Sequence, residues 1–260
     1  MKIIIAVLLP LTLLGPAIGA AENPFDGTWK VRGSSMQFSG TPDNFSIKDG
    51  TYSCGNCVPP FAIKADGTDQ PTPTHDTRDH AAVKVLSPMS FEETDKVKGK
   101  TTMTQTTTVS ADGAKLTVKS TDYTGAKPVT STVTEKRVAP APAGAHAASG
   151  SWMTDAMPEL SEAGQTMTLA STPNGLKMSA NGRVTDAKFD GKAYPTQNDP
   201  SHTLVTIKKI SDRQIEERDE REGKVYDIVL STVSADGKSM TVVDEDPVHG
   251  TKASMIFDKQ

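Results

Sequence analysis

Two cysteines are the residues whose types and spacing could most readily do chemistry. Cys54 and Cys57 are the only cysteines of the chain and are separated by Gly55 and Asn56. Because the N-terminus predicts export (below), and exported cysteine pairs oxidise readily, a disulfide is the expected state. The intervening Gly-Asn favours a tight turn. The sequence therefore predicts a disulfide between Cys54 and Cys57 that staples a turn.

Two alternatives stay open for this pair. A thioredoxin-type redox couple needs a helix N-terminus that lowers the thiol pKa, but Val58-Pro59-Pro60 follows and disfavours a helix. The pattern Cys54-x2-Cys57-x17-His75-x4-His80 comes near the spacing of a Cys2His2 zinc site. Cys54, Cys57, His75 and His80 are thus the ligands of the alternative metal site, although no metal and no cofactor is the main expectation.

Catalytic motifs do not occur in the sequence. It contains neither a Gly-x-Ser-x-Gly nucleophile elbow nor a His-Glu-x-x-His zinc helix. We therefore predict no catalytic residues and a protein that is not an enzyme. An enzyme or zinc site confined to the first half of the chain is the less favoured alternative.

The elements that must position these residues occur twice. Gly27-Thr28-Trp29 returns as Gly150-Ser151-Trp152, and Thr108–Gly113 returns letter for letter as Thr232–Gly237, which is 124 residues later. The first match lies 123 residues later, and matches at so nearly constant an offset over a hundred residues indicate a tandem duplication. Cys54 and Cys57 have no counterpart in the second copy, so the predicted disulfide belongs to the first repeat alone.

Within each copy, apolar residues alternate with polar ones, as in β-strands. The clearest runs are residues 82–85, 115–119, 204–207, 225–230 and 239–242, and Asp-Gly or Asn-Gly pairs separate many of them. These pairs suit tight hairpin turns. Closing a meander of short strands removes its exposed edges. The sequence predicts an all-β fold of two tandem antiparallel up-and-down β-barrels with about eight strands each, and a helix only as a short turn near Pro158–Ala163.

Composition divides the chain into four segments. Residues 1–21 are predicted to be a cleaved signal peptide, because Lys2 precedes an apolar run and then small residues. Residues 22–137 and 150–260 are the two expected barrel repeats. Residues 138–149, rich in Pro and Ala, are the expected linker, an extended spacer. Export places the protein in the periplasm or outside the cell.

Charge restricts the partners. The formal net charge is −4 and no basic stripe occurs, which argues against nucleic acid. No later apolar stretch is long enough for a membrane span. The mixed-sign run Glu216–Glu222 is expected to be a solvated strand pair and turn. Asp244 and Asp246 share one strand face and are expected to keep an edge strand soluble, and the histidines are expected to be exposed.

Three stretches carry a family resemblance: Asn23–Lys30, Lys188–Pro195 and Val233–Val242. With them, residues 23–137 and 150–259 resemble bacterial secreted proteins that are labelled lipocalin-like. The resemblance implies lipocalin- or calycin-like barrels in which Trp29 and Trp152 plug the closed ends. The alternative for these two residues is ligand contact at the barrel ends.

These observations favour a binding function over catalysis. The expected protein is an exported binding module that holds a small hydrophobic molecule or contacts another exported protein. The alternative is a structural or stress-related envelope protein with no small ligand. An interior cavity of about 300 Å³ or more would favour binding, whereas a filled core would favour the structural role.

Overall fold

The computed structural model describes residues 23–75 and 77–260, and these are almost entirely β-structure. The all-β prediction is confirmed. No helix within these residues is long and apolar enough to cross a membrane. The predicted signal peptide, residues 1–21, lies outside the described residues.

Twenty-one strands follow one another along the described part of the chain. The first eleven are β1 (Gly27–Val31), β2 (Gln37–Gly40), β3 (Asp43–Lys48), β4 (Thr51–Cys54), β5 (Phe61–Lys64), β6 (Gln70–His75), β7 (Arg78–Ser87), β8 (Ser90–Val97), β9 (Lys100–Val109), β10 (Lys115–Asp122) and β11 (Val129–Ala139). The others are β12 (Gly150–Leu160), β13 (Thr166–Thr172), β14 (Gly175–Ala180), β15 (Arg183–Lys188), β16 (Tyr194–Pro195), β17 (Leu204–Ser211), β18 (Gln214–Arg221), β19 (Lys224–Val233), β20 (Ser239–Asp246) and β21 (Thr251–Lys259). A 3-10 turn at Gly33–Ser35 and one helical turn, α1 (Glu162–Gln165), complete the fold.

The strands form two antiparallel sheets, each nearly closed into a barrel. Barrel A has the order β5-β4-β3-β12-β11-β10-β9-β8-β7-β6, and barrel B has the order β15-β14-β13-β1-β21-β20-β19-β18-β17-β16, with β2 also paired to β21. The edges approach each other, as where the Gln70 side chain bonds both the N–H and the carbonyl of Lys64 in barrel A. Two tandem barrels were predicted and are confirmed.

Each barrel has ten strands in its main path, rather than about eight. Some hairpin turns lack the Asn-Gly or Asp-Gly signal. In one such turn φ is 51° at Lys98 and 78° at Gly99. In its counterpart φ is 48° at Glu222 and 76° at Gly223. These positive values are those of a type I′ turn, which Asn or Asp adopts more readily than Lys or Glu. Counting Asn-Gly and Asp-Gly pairs therefore underestimates the number of hairpin turns, and with it the number of strands.

The first strands of the two repeats are exchanged between the barrels. β12 belongs to the second repeat by sequence but pairs with β11 and β3 in barrel A. β1 belongs to the first repeat but pairs with β13 and β21 in barrel B. Barrel A is therefore continuous over residues 43–160, whereas barrel B combines residues 27–40 with residues 166–259. The expected segments 22–137 and 150–260 describe the sequence repeat, and the barrels cross those boundaries.

The segment between the repeats is not the extended spacer that its composition suggests. β11 continues through Ala139, and Ala148 and Ser149 are fully buried. The His146 backbone N–H donates to the Ile47 carbonyl, and its ring Nε2 donates to a carbonyl of barrel A, that of Ser87, both at 2.8 Å. Small Ala, Gly and Ser side chains let this segment pack against barrel A. His146, expected to be exposed, is half-buried instead.

The two barrel cores differ in side-chain type. Barrel A encloses an aromatic cluster in which the rings of Phe45, Tyr52, Phe61 and Phe91 lie 5.6–6.2 Å apart. The core of barrel B is mainly aliphatic away from its tryptophan, with residues such as Leu169, Leu176, Val205, Ile207, Ile215 and Met240. Aromatic rings fill more volume than these aliphatic groups. At several equivalent positions barrel B therefore has a smaller side chain than barrel A, as with Thr185 for Phe61.

Candidate functional site

Trp29 and Trp152 hold equivalent places in the two barrels. Both are fully buried. Trp29 Nε1 donates to the Phe25 carbonyl and Trp152 Nε1 to the Ala148 carbonyl, each at 2.8 Å. Each indole thus packs in a core with its one polar group satisfied four residues earlier in the chain, as buried tryptophans require.

A cation covers each of these indoles. The Arg137 guanidinium lies 4.0 Å from the Trp152 ring centroid, and the Lys259 ammonium lies 5.4 Å from that of Trp29. Arg137 also donates to the carbonyls of Gly113, Ser149 and Ala147. These contacts tie the connecting segment to barrel A.

Cys54 and Cys57 form the predicted disulfide, with their Cα atoms 5.5 Å apart. Both sulfur atoms are used in that bond, so they offer no thiolates to zinc. His80 Nδ1 lies 2.9 Å from the Asp79 carboxylate on an exposed surface, and His75 is the last residue of β6. Across residues 23–75 and 77–260, no group of three or more His, Cys, Asp or Glu residues is placed to hold a metal ion.

The disulfide is expected to contribute modestly to stability. It closes a loop with a sequence separation of three residues, and so short a loop removes little entropy from the unfolded chain. Replacing both cysteines by serine should lower the unfolding free energy by about 2 kcal/mol. Denaturant unfolding of the variant and of the reduced wild type measures this, and a loss of twice that size would show that the bridge does more than close its turn.

Two pairs of carboxylates lie inside the barrels at equivalent positions. Glu93 and Asp95 are on β8, and Glu217 and Asp219 are 124 residues later on β18. The strand registers match, with Asp95 opposite Met103 and Asp219 opposite Asp227, and a bulge follows each aspartate. Residues at alternate positions of a strand face the same side, so each pair faces the interior of its barrel.

These pairs are not among the site residues that the sequence predicts. The strand pair and turn expected for Glu216–Glu222 are present, but the run is not fully solvated, because Glu217, Asp219 and Arg221 line the interior of barrel B. The signal that could have found them is the Glu-Glu-x-Asp sequence at 92–95, repeated at 216–219. Alternation on a strand puts the second Glu and the Asp on one face.

In barrel A, the protein supplies hydrogen-bond donors to Glu93 and a positive charge to Asp95. Glu93 accepts hydrogen bonds from Gln105 Nε2 at 2.8 Å and from the Tyr52 hydroxyl at 3.4 Å. Asp95 lies 3.7 Å from the Arg78 guanidinium. Burial raises the pKa of both carboxyls, while Arg78 lowers it. The pair is therefore enclosed by groups that supply donors and a positive charge.

In barrel B, neighbouring carboxyl groups influence the pKa values of the equivalent acids, Glu217 and Asp219. The interaction between the two side chains raises the pKa of Glu217 and lowers that of Asp219, which favours a proton on Glu217. Burial, followed by the charge of Asp219, raises the pKa of Glu217 well above its ordinary value. Burial and the carboxylate of Asp227 raise the pKa of Asp219 to about 6. Asp244 adds to the negative field at both.

These acids line a cavity of about 270 Å³ inside barrel B. Its apolar lining includes Met167, Leu169, Met178, Val205, Val229 and Val242, and its charged lining is Arg183, Asp199, Glu217, Asp219 and Arg221. The two arginines each have an acidic neighbour. Arg183 Nε lies 3.5 Å from Asp199, and Arg221 Nη2 lies 3.6 Å from Asp227. The cavity thus combines an apolar wall with carboxyl groups that the arginines only partly balance.

The chain matches no protein-family model, no curated protein and no solved structure. Its function must therefore be argued from its own site. The cavity in barrel B is the feature from which that argument starts.

A second cavity of about 340 Å³ lies where the two barrels meet. Asp43 and Trp152 border it from barrel A, and Asp244, Asp246 and His249 border it from barrel B. Asp244 and Asp246 were expected on an edge strand, but β20 lies between β19 and β21. The Asp246 carboxylate instead bonds the backbone N–H and the ring of His249, which orders the turn beside this cavity.

Proposed function

We propose that the chain is an exported binding module that holds a small, largely apolar molecule inside barrel B. The observation that carries this proposal is the interior cavity of about 270 Å³. This volume lies just below the ~300 Å³ at which ligand pockets usually start, so the cavity suits only a molecule of a few heavy atoms.

The composition of the cavity wall also supports the proposal. Eight of the eighteen lining residues are aliphatic or methionine, and the other ten carry charged or hydroxyl groups. In a small-molecule site, apolar surface provides affinity and polar groups fix orientation, and this wall offers both. Barrel A presents the contrast, because an aromatic cluster occupies its interior.

Filling the cavity is expected to abolish binding. Thr185 lines the cavity, and the strand pairing places it where barrel A has Phe61, since Thr185 is opposite Met178 and Phe61 is opposite Cys54. With n-hexanol as the probe, Thr185→Phe should weaken binding by at least about tenfold, or 1.4 kcal/mol. Calorimetry or ligand-observed NMR on the full chain measures the change.

Thr185→Val is the matched control. It keeps the volume of the side chain and removes only the hydroxyl contact with Thr196 at 2.8 Å, so it should bind n-hexanol as the wild type does. Equal binding by Thr185→Phe would place the ligand elsewhere. No n-hexanol binding at all, together with no small molecule in native mass spectra of the purified chain, would favour the structural envelope role.

A further inference from the structure

The tandem repeat provides an internal comparison for the acid pair of barrel B. Strand registers in the two barrels agree at an offset of 124 residues: Tyr52 is opposite Ile63, and Leu176 is opposite Ala187. Each residue around Glu93 and Asp95 therefore has a defined counterpart around the acids of barrel B. The two sites have the same pair of acids but different neighbouring side chains.

The hydrogen-bond donors of barrel A are missing from barrel B. Tyr52 and Gln105, which donate to Glu93, correspond to Leu176 and Val229. Neither of these side chains can donate a hydrogen bond. Glu217 therefore keeps its carboxyl group and loses both of the donors that its counterpart has. A buried carboxylate without donors is costly, and burial accordingly raises the pKa of Glu217.

The arginine that pairs with the acids of barrel A also has no equivalent arginine in barrel B. Arg78, which lies 3.7 Å from Asp95, corresponds to His202, an exposed residue outside the strands. Arg221, which lines the cavity, is the cation that lowers the pKa of Asp219. It is shared, however, because its Nε donates to the Thr203 hydroxyl and its Nη2 lies 3.6 Å from Asp227.

The lost side chains leave space beside the same acids. Smaller or aliphatic residues replace three aromatic rings of barrel A: Leu176 for Tyr52, Thr185 for Phe61 and Ile215 for Phe91. Thr185 and Ile215 line the cavity. Ser231, which is only 9% exposed, also lines it. The cavity therefore brings together free volume, the Ser231 hydroxyl and the carboxyl groups that have lost the donors present in barrel A.

The surrounding charge is negative. The cavity lining carries three carboxyl groups and two guanidinium groups, and Asp227 and Asp244 lie close enough to act on Glu217. In a partly enclosed apolar site, such a field favours a cation over a neutral or anionic group of the same size. A ligand ammonium group would supply both the N–H donors and the positive charge that barrel A takes from its own side chains.

Resting on the proposed binding function, we propose that the cavity of barrel B takes a small organic cation, an ammonium group on an apolar body, with the ammonium group held by Glu217 and Asp219. The apolar body lies against the aliphatic wall. Barrel A binds no such ligand, because Tyr52, Gln105 and Arg78 already occupy the corresponding positions around its acid pair.

Three probes of equal chain length test the charge preference on the full chain at pH 7: n-hexylammonium, n-hexanol and n-hexanoate. By calorimetry, n-hexylammonium should bind at least about tenfold more tightly than n-hexanol, and n-hexanoate should bind most weakly. Equal or tighter binding of n-hexanol or n-hexanoate would overturn the cation inference and leave the binding function standing. Failure of all three probes would overturn both.

Variants locate the cation. Glu217→Gln should reduce n-hexylammonium binding by about tenfold, because the amide cannot give up a proton to form the carboxylate that would pair with the ammonium group. It should change n-hexanol binding little, because n-hexanol carries no charge. Glu93→Gln, the matched change in barrel A, should alter neither. The circular dichroism spectrum checks that each variant is folded. Wild-type affinity for n-hexylammonium in a folded Glu217→Gln protein would overturn the placement of the ammonium group. If that variant does not fold, the three-probe comparison on the wild-type chain still tests the charge preference.

Discussion

A fragment of residues 43–160 is expected to fold on its own, whereas the repeat-defined fragment 22–137 is not. The first fragment contains β3–β12, the whole of barrel A. The second lacks β12 and carries β1, whose partners β13 and β21 are absent. It also lacks Trp152, which is fully buried in barrel A. Emptying a buried tryptophan site alone costs about 3–5 kcal/mol, a large part of the ~5–15 kcal/mol that stabilises a domain.

Fluorescence and circular dichroism can compare the two fragments directly. Fragment 43–160 has Trp152 as its single tryptophan, and fragment 22–137 has only Trp29. A buried indole should give blue-shifted emission and a cooperative denaturant transition in the first fragment, and solvent-exposed emission without such a transition in the second. Cooperative unfolding of a monomeric 22–137 fragment would contradict the exchanged strand arrangement.

The second large effect is a loss of stability as the pH rises. Burial is the first cause that raises the pKa of Glu135 to about 7, and the charge of Asp43 adds to it. Glu93 and Asp244 are shifted in the same direction, also chiefly by burial. A carboxyl group whose pKa is raised by folding binds its proton more tightly in the folded state. Its stabilising contribution is complete below about pH 4 and is lost as the pH rises through about 7.

The unfolding free energy should therefore fall between about pH 4.5 and pH 8, by several kcal/mol if these groups act together. Glu135→Gln isolates one of them. Glu135 is 7% exposed, and its Oε2 has no hydrogen-bond partner among the described residues. The variant should gain about 1–3 kcal/mol at pH 8 and nothing at pH 4.5, as measured by denaturant unfolding.

Glu222→Gln is the control for this experiment, because Glu222 is an exposed turn residue. Its stability should follow the wild-type pH profile. A wild-type profile that rises from pH 4.5 to pH 8 would contradict the burial of these carboxyls in an apolar interior. If Glu135→Gln raised the unfolding free energy equally at pH 4.5 and pH 8, the cause would be packing rather than charge.

Local rules predicted the strands, many turns and the disulfide, because alternation, Asn/Asp-Gly pairs and cysteine spacing act over a few residues. The strand exchange could not be predicted in this way. It places Trp29 in barrel B and Trp152 in barrel A, although the Gly-x-Trp sequence is the same in both copies. Only long-range pairing distinguishes this arrangement from the unexchanged one, and nothing in the period of the repeat specifies it.

The candidate site was hidden for a different reason. Charged residues are expected in water, so Glu217 and Asp219 were assigned to the surface. The alternation that identified their strand also places them inside. The cavity itself depends on the difference in volume between equivalent residues, such as Phe61 and Thr185. That comparison needs the register of the two barrels, which the structure provides.

The exchanged strand also sets the order in which the molecule can be completed during synthesis. Residues 43–160 can pair fully as soon as they have emerged, while β1, made earlier, has no partner yet. β1 pairs with β21 (Thr251–Lys259), which is made more than 200 residues later. Barrel B can therefore close only after β21 has emerged, and this long sequence separation makes the closing contact a slow step. A prematurely terminated chain keeps one finished barrel and an unpaired N-terminal strand, which exposes it to degradation.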